Sequence, residues 1–282
     1  MIVALFPNIE KKDSLKLAKE ISDFFHKNNA IVVAEDDSAA SINAKPLSKI
    51  KKEDITFVIS LGGDGTILRL SHKYPELTAP LIGINIGQIG FMADIPVSDL
   101  YPSLQDIIDG KYTIENRLMI ETTTPSNQIF FAANDAVIHR ASNHKLIELS
   151  VTVGGQYLST FSADGIIIAT PNGSTAYSLS AGGPILSPEI DALVLTPICP
   201  HTISVRPIVL SAQHEIQIQY LSKNKNPIEL RTDGIGFSAI QTSEIIKIRK
   251  SEKTFKLVKL HRHNYFSTLN SKLGWAGSII PS

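Results

Sequence analysis

Reactive sulfur is nearly missing from this 282-residue sequence, which has one cysteine, Cys199. A single thiol excludes an intrachain disulfide and any cysteine-based metal cluster. Long apolar runs are missing as well, and none approaches the ~20 residues of a membrane-spanning helix. Neither charge is in excess: Lys plus Arg and Asp plus Glu number 27 each. That balance gives no support to a nucleic-acid or membrane-surface partner. Met1-Ile2-Val3-Ala4-Leu5-Phe6 has no basic flank or small-residue cleavage site, so it reads as a first strand and the cytoplasm is the expected location. Common nucleotide fingerprints are also absent. There is no G-x-x-x-x-G-K-[ST], so no P-loop lysine follows the glycines. The glycines between Gly83 and Gly90 are spaced wrongly for the G-x-G-x-x-G dinucleotide turn, and the protein-kinase signature set is missing.

What is present suffices for two domains of a soluble globular protein, with 43% hydrophobic and 19% charged residues. Up to about residue 110 the character alternates. The first strand precedes a helix with Leu17, Ala18, Ile21, Phe24 and Phe25 at helical spacing, for which Asp13 is the expected cap. Ile31-Val32-Val33-Ala34 and Pro80–Ile86 read as strands, Glu35–Asp54 as loop with some helix, and Ser98–Asp109 as a helix stopped by Gly110. Strands alternating with helices predict parallel βαβ units. From Tyr112 onward, short β-branched runs predict strands at 118–124, 128–140, 146–153, 156–162, 165–170, 202–210, 215–221, 228–232, 244–250 and 255–260. Gly154-Gly155 and Asp233-Gly234 are suited to two-residue hairpin turns. The last stretch, 261–275, has a helical pattern and can return to the first domain. The expected domains are 1–115, 116–260 and a tail over 261–282.

The chain is organised around Gly62-Gly63-Asp64-Gly65-Thr66, between the apolar run Ile55–Leu61 and the helix start Ile67-Leu68-Arg69-Leu70. A strand–turn–helix junction is where an α/β sheet presents loops to a ligand. Glycines there permit positive φ and close approach of a bound group, and their N–H groups suit phosphate. An aspartate in such a loop fits a phosphotransferase base or a metal-linked carboxylate, the favoured reading; a plain Asp-Gly turn is the structural alternative. Asn134-Asp135 interrupts an apolar run, as a turn does, or as an amide and carboxylate gripping a ribose diol do. In Asp164–Pro184 a buried strand enters a Pro171-Asn172-Gly173 turn and a short helix ended by Gly182-Gly183. Hydroxyls at Ser174, Thr175, Ser178 and Ser180 there either hold a polar ligand or merely cap the helix.

Gly-Gly-Asp-Gly-Thr, Asn134-Asp135 and Asp164–Pro184, in this order and spacing, resemble the NAD kinases. Thr196–Thr202, Arg206-Pro207 and Leu273-Gly274-Trp275 resemble that family's bacterial members, so the resemblance covers nearly the whole chain. Gly-Gly-Asp-Gly is shared with diacylglycerol-type lipid kinases and 6-phosphofructokinases; Thr170–Pro184 separates the NAD kinases from both. The resemblance implies a Rossmann-like α/β domain with a parallel sheet, a β-rich, sandwich-like second domain and a helical tail returning to the first. It implies Mg²⁺-dependent transfer of phosphate from ATP to the 2′-hydroxyl of the adenosine ribose of NAD.

By position, Asp64 is then the general base, Gly65 a backbone contact and Arg69 a phosphate contact. Phe91 is an aromatic wall, and Asn134 and Asp135 hold the adenosine. Lys145 and Asp164 lie near the nicotinamide riboside, and Thr175, Ala176, Tyr177, Ser178, Leu179 and Ser180 line the pocket. Tyr177 comes from a neighbouring subunit in the family's homodimers or homotetramers. The chain departs from the family's usual pattern at Asp135, commonly Glu; at Ser162, often basic; and at Ile235, often Gln. A lipid or sugar kinase, or a dinucleotide sensor without catalysis, is the alternative; retention of Asp64 speaks against the sensor. Cys199 is expected as a packed core thiol, and the histidines His139, His201, His261 and His263 in surface or core roles.

Overall fold

The computed structural model describes residues 1–221 and 226–274. Trp275, expected to pack the tail in place, lies outside them. The chain divides into two compact units, Met1–Asn116 joined by the chain from Lys256, and Arg117–Phe255.

The first unit is an α/β domain built on a parallel sheet. Its strand order is Lys45–Pro46, Ile31–Ala34, Ile2–Pro7, Phe57–Gly62, Leu81–Asn85, with Leu5 opposite Ile59 and Val58 opposite Leu81. Every residue of Phe57–Gly62 and of Leu81–Asn85 is buried, as the uninterrupted apolar runs require of strands covered on both faces. The strand Ile245–Leu260 adds its end to this sheet, with Leu257 parallel to Leu81. Helix Ser14–Lys27 covers the sheet with Ala18, Ile21 and Phe25. Asp13 occupies the cap position, but with a left-handed backbone and no side-chain hydrogen bond; it starts the helix through its backbone and not as the expected side-chain cap. Helix Leu100–Ile108 ends just before Gly110, whose φ of +73° permits the reversal. The final helix Tyr265–Leu273 is capped by the Asn264 side chain accepting from the Ser267 N–H. Arg262, just before it, binds Asp106 at 2.5 Å and Asp99 at 3.1 Å.

Because the strands are parallel, the loops after Pro7, Gly62 and Asn85 all issue from one edge of the sheet. That edge carries the glycine turn.

The second unit is β-rich. Among the described residues one antiparallel sheet runs Ile208–Ser211, Ala192–Ile198, Gly165–Ala169, Asp135–His139, Ile228–Thr232, Gly236–Ile240. Another contains Gln156–Ala163, Ile147–Val153, Ile216–Tyr220 and the first part of Ile245–Leu260. Alternate residues from both, such as Ile138, Ile166 and Leu195 with Leu149, Ile218 and Ile246, make one core. Both hairpins form, with φ of +56° and +80° at Gly154-Gly155 and +51° and +70° at Asp233-Gly234. The first is the expected two-residue turn, while Thr232 pairs with Gly236 and the second loop has three residues, Asp233, Gly234 and Ile235.

Several strand expectations change. The expected run 128–140 is two strands, Ile129–Ala132 and Asp135–His139, broken at Ala133-Asn134. Of 202–210 only the end is strand, Ile208–Ser211, and Ile203 is 81% exposed. The runs 244–250 and 255–260 are one strand. The fully buried strand Ala192–Ile198 was not anticipated. Cys199, just beyond it, is exposed with φ +44°, so the expected core thiol is corrected to a surface one.

Candidate active site

Site residues fall into two groups, one in each unit. In the first, helix Asp64–Lys73 begins directly after strand Phe57–Gly62, with Gly63 as its cap residue. The Asp64 carboxylate accepts three backbone N–H bonds, from Phe91 at 2.9 Å, Met92 at 3.1 Å and Ala93 at 2.8 Å. A Cβ on Gly90 would collide with that carboxylate, so glycine at 90 is a condition of its position. The expected use of positive φ at Gly62, Gly63 and Gly65 is not found. Gly62 is needed for another reason: a Cβ there would collide with the Thr66 side chain. Gly65 is exposed and has open space around it, as a backbone contact requires. Arg69 projects to solvent and, among the described residues, reaches Glu10 at 3.8 Å. Phe91 lies 5.9 Å from the Tyr265 ring, with the Lys272 ammonium 4.9 Å from its centroid.

Two residues of this group escaped sequence reasoning. Lys11 Nζ donates to the carbonyls of Gly62 at 3.2 Å and Ile86 at 2.5 Å. Buried Asn85 gives its amide N–H to Ala93 O at 3.3 Å, while its Oδ1 has no hydrogen-bond partner. The expected magnesium ion can be tested against these groups. Among the described residues no cluster of three or more His, Cys, Asp or Glu could hold a metal. Magnesium bound with a nucleotide needs one or two protein oxygen ligands, the phosphates and water supplying the rest. Asp64 and the orphaned Asn85 Oδ1 are hard oxygen donors of that kind, so the residues fit.

The second group surrounds a cavity of about 440 Å³ lined by Asn134, Asp135, His139, Tyr177, Arg231 and Asp233, among others. Asn134 sits in the break between two strands, where the turn after Ala169 docks. Its carbonyl accepts the Thr170 N–H at 2.8 Å, and a Cβ on Gly173 would strike that carbonyl. Asn172 Nδ2 donates to Asn134 Oδ1 at 2.6 Å, which turns the NH₂ of Asn134 outward as a donor. Asp135, 5% exposed, has no hydrogen bond to its carboxylate among the described residues. Burial first, then the negative charge of Asp233, pushes its pKa up from 3.8 to about 7. The Asp233 carboxylate accepts N–H bonds from Ala133 at 2.9 Å, Asn134 at 2.8 Å and Asp135 at 3.2 Å. Sequence reasoning saw Asp233 only as a turn residue; its partners are about a hundred positions away.

Of the expected pocket-lining segment, Ala176 and Tyr177 border this cavity, and Tyr177 does so in its own chain. Three of the hydroxyls have partners within the protein. Ser178 is fully buried and bonded to Thr196 Oγ1 at 2.8 Å, and Ser174 to Pro171 O and Leu186 N. Thr175 donates to Asn172 O at 3.1 Å. Ser174 and Ser178 are buried and serve the fold, while half-buried Thr175 keeps lone pairs that can accept from a ligand. Leu179 is half-buried and Ser180 exposed on the same short helix, Tyr177–Ser180. Lys145 is exposed on a loop. Asp164 is held in an ion pair with Arg140 at 2.6 Å. His139 borders the cavity and accepts the Ala141 N–H at 3.1 Å.

A carboxylate anchored by main-chain N–H groups beside a glycine turn, on one unit, and an amide–carboxylate pair in a cavity on the other, are groups that a phosphate transfer to a hydroxyl can use. Residues 3–112 match the family model of the ATP-NAD kinase N-terminal domain, and residues 133–260 that of the ATP-NAD kinase C-terminal domain. The chain belongs to the ATP-NAD kinase family. It is 54% identical to the NAD kinase of Protochlamydia amoebophila over 99% of each chain. It is 36% identical to that of Nitrosomonas eutropha over 98% of this chain and 96% of the relative. A crystal structure of yeast NADH kinase complexed with NADH superposes with a TM-score of 0.86 at 26% identity, covering 100% of this chain and 89% of that one.

Proposed function

We propose that the enzyme transfers the γ-phosphoryl group of ATP to the 2′-hydroxyl of the adenosine ribose of NAD, giving NADP and ADP. The observation that carries this reading is Asp64, whose carboxylate is fixed by three N–H bonds at the glycine turn. In the reaction the 2′-oxygen forms a bond to Pγ as the bond from Pγ to the bridging oxygen breaks. The hydroxyl proton passes to the Asp64 carboxylate, and ADP carries away the bond's electron pair. Bound magnesium supplies charge neutralisation on the phosphates. Asp64 and Asn85 Oδ1 would hold it.

Asn134 and Asp135 serve NAD. One donor and one hydrogen-bond-free carboxylate, side by side in a cavity, match the hydroxyls of a ribose. With Asp135, Glu229 and Asp233 against one guanidinium, Arg231, the cavity is unsuited to bare phosphate and suited to the nucleoside part of the ligand. Tyr177, 43% exposed, is a ring available to stack on it or on a neighbouring subunit in a dimer or tetramer. The cytoplasm is the location this substrate pair implies.

The test is NADP formation from NAD, ATP and Mg²⁺, read with an NADP-specific dehydrogenase. Asp64→Asn is expected to keep NAD binding and lower kcat by roughly 10²–10⁴-fold. A variant within twofold of the wild type would remove Asp64 from the base role.

A further inference from the structure

The sequence has no lysine following its glycine turn, yet the fold brings one there. Lys11 lies on the loop after strand Ile2–Pro7, and its ammonium reaches the carbonyls of Gly62 and Ile86, the two residues that open the loops of the neighbouring strands. A Cβ on Gly63 would lie 3.9 Å from Lys11 Nζ, and one on Gly87 3.6 Å away. Both positions lack that atom, so the ammonium faces unobstructed backbone on two sides. The orphaned Asn85 Oδ1 is 3.9 Å from the same Gly87 point.

The charge balance is what singles this lysine out. Among the described residues no carboxylate comes within ion-pair distance of Lys11; its partners are neutral carbonyls. Two carbonyls orient an ammonium without cancelling its charge, and they leave its third proton to donate. An ammonium held half-buried at a glycine turn, with its charge uncompensated, is suited to an anion. We propose that Lys11 contacts the phosphates of the ATP donor, filling the role that a P-loop lysine has in other nucleotide sites. The inference rests on the kinase reading above. It identifies the cation that neutralises the transferred group's oxygens on this chain's side. Arg69, drawn toward Glu10 and open to solvent, is the weaker candidate for that task.

Lys11→Met removes the charge and keeps most of the stem. A lost charge-assisted hydrogen bond predicts a rise in KM for ATP, a fall in kcat, or both, of about tenfold or more in kcat/KM for ATP. The NAD affinity measured without ATP should stay within about twofold, because the residues proposed to hold the NAD ribose, Asn134 and Asp135, make no contact with Lys11. Lys11→Arg should recover most of the loss. A purely architectural role would instead move the melting temperature and both substrates' constants together and show no recovery with arginine. A second measurement needs no variant. In the wild type, ATP with Mg²⁺, or inorganic tripolyphosphate, should protect Lys11 from an amine-acylating reagent several-fold, while exposed Lys12 stays reactive, as read by peptide mass spectrometry. Unchanged acylation of Lys11 at saturating ATP overturns the proposal even if the methionine variant fails to fold. A wild type that makes no NADP overturns the kinase reading itself, which separates the two failures.

Discussion

Asp135 is buried at a cost that can be measured. Its pKa rises from 3.8 to about 7 through burial and the neighbouring Asp233 charge, and at ~1.36 kcal/mol per unit this is about 4 kcal/mol. Between those values the folded protein holds a proton that the unfolded chain releases. Stability therefore falls as pH rises from about 4 to 7, and the loss is complete above 7. Asp135→Asn keeps the shape and abolishes the ionisation. At pH 4 wild type and variant should melt within a degree or two of each other, and by pH 5 the variant should already lead by about 1.5 kcal/mol. At pH 8 the variant should be more stable by roughly 2–4 kcal/mol, or about 4–16 °C in Tm. Scanning calorimetry or denaturant titration at pH 4, 5, 6, 7 and 8 reads this out directly. The same variant should bind NAD more weakly, since an amide replaces the carboxylate that faces the ligand; this is the usual trade between site chemistry and stability. A stability difference that does not change with pH would refute the reasoning.

Other consequences can be checked alongside. Asp135→Ala should raise KM for NAD about tenfold or more and spare KM for ATP; the reverse pattern means the pair serves the other substrate. Gly90→Ala drives a methyl into the Asp64 carboxylate, and kcat should drop on the order of 10²-fold while NAD binding persists. Lys259 and Asp94 form an ion pair with both side chains buried, so Lys259→Met should cost about 3–5 kcal/mol in the first unit, and adding Asp94→Asn should restore part of it. If the active form is a dimer or larger, specific activity falls on dilution and recovers with saturating NAD; constant activity in a demonstrably monomeric sample rules that out.

Periodicity within one window made much of the fold legible. Ala18, Ile21 and Phe25 declared their helix, and Ile55–Leu61 its strand. Ala192–Ile198 was missed because Pro197 argues against a central strand. It is accommodated opposite Ile166, and the strand is recognisable only through its neighbours. The β-branched residues between Thr202 and Leu210 misled in the opposite sense, since residue type there was not matched by burial. Within the site, the motif residues were legible and their supports were not. Lys11 and Gly62 are joined across fifty-one positions and Asp233 and Ala133 across a hundred, separations that no local pattern spans. Two serine hydroxyls also have partners that no local pattern shows. A buried hydroxyl must be satisfied, and Ser174 and Ser178 found partners inside the protein before any ligand could claim them.

The strand Ile245–Leu260 gives synthesis a fixed order of events. Its last residues complete the parallel sheet beside Leu81, yet they leave the ribosome after every residue of the β-rich unit. The early part of the chain thus waits with Leu81 lacking its partner Leu257, although Ile95–Pro96 already pairs Ile84 and Asn85, while Arg117–Phe255 emerges as a continuous piece able to organise itself first. During that interval the open edge is a template for pairing with other nascent chains. Slow or interrupted translation near Lys256 should therefore show as aggregation of the α/β portion, with the β-rich portion already resistant to protease.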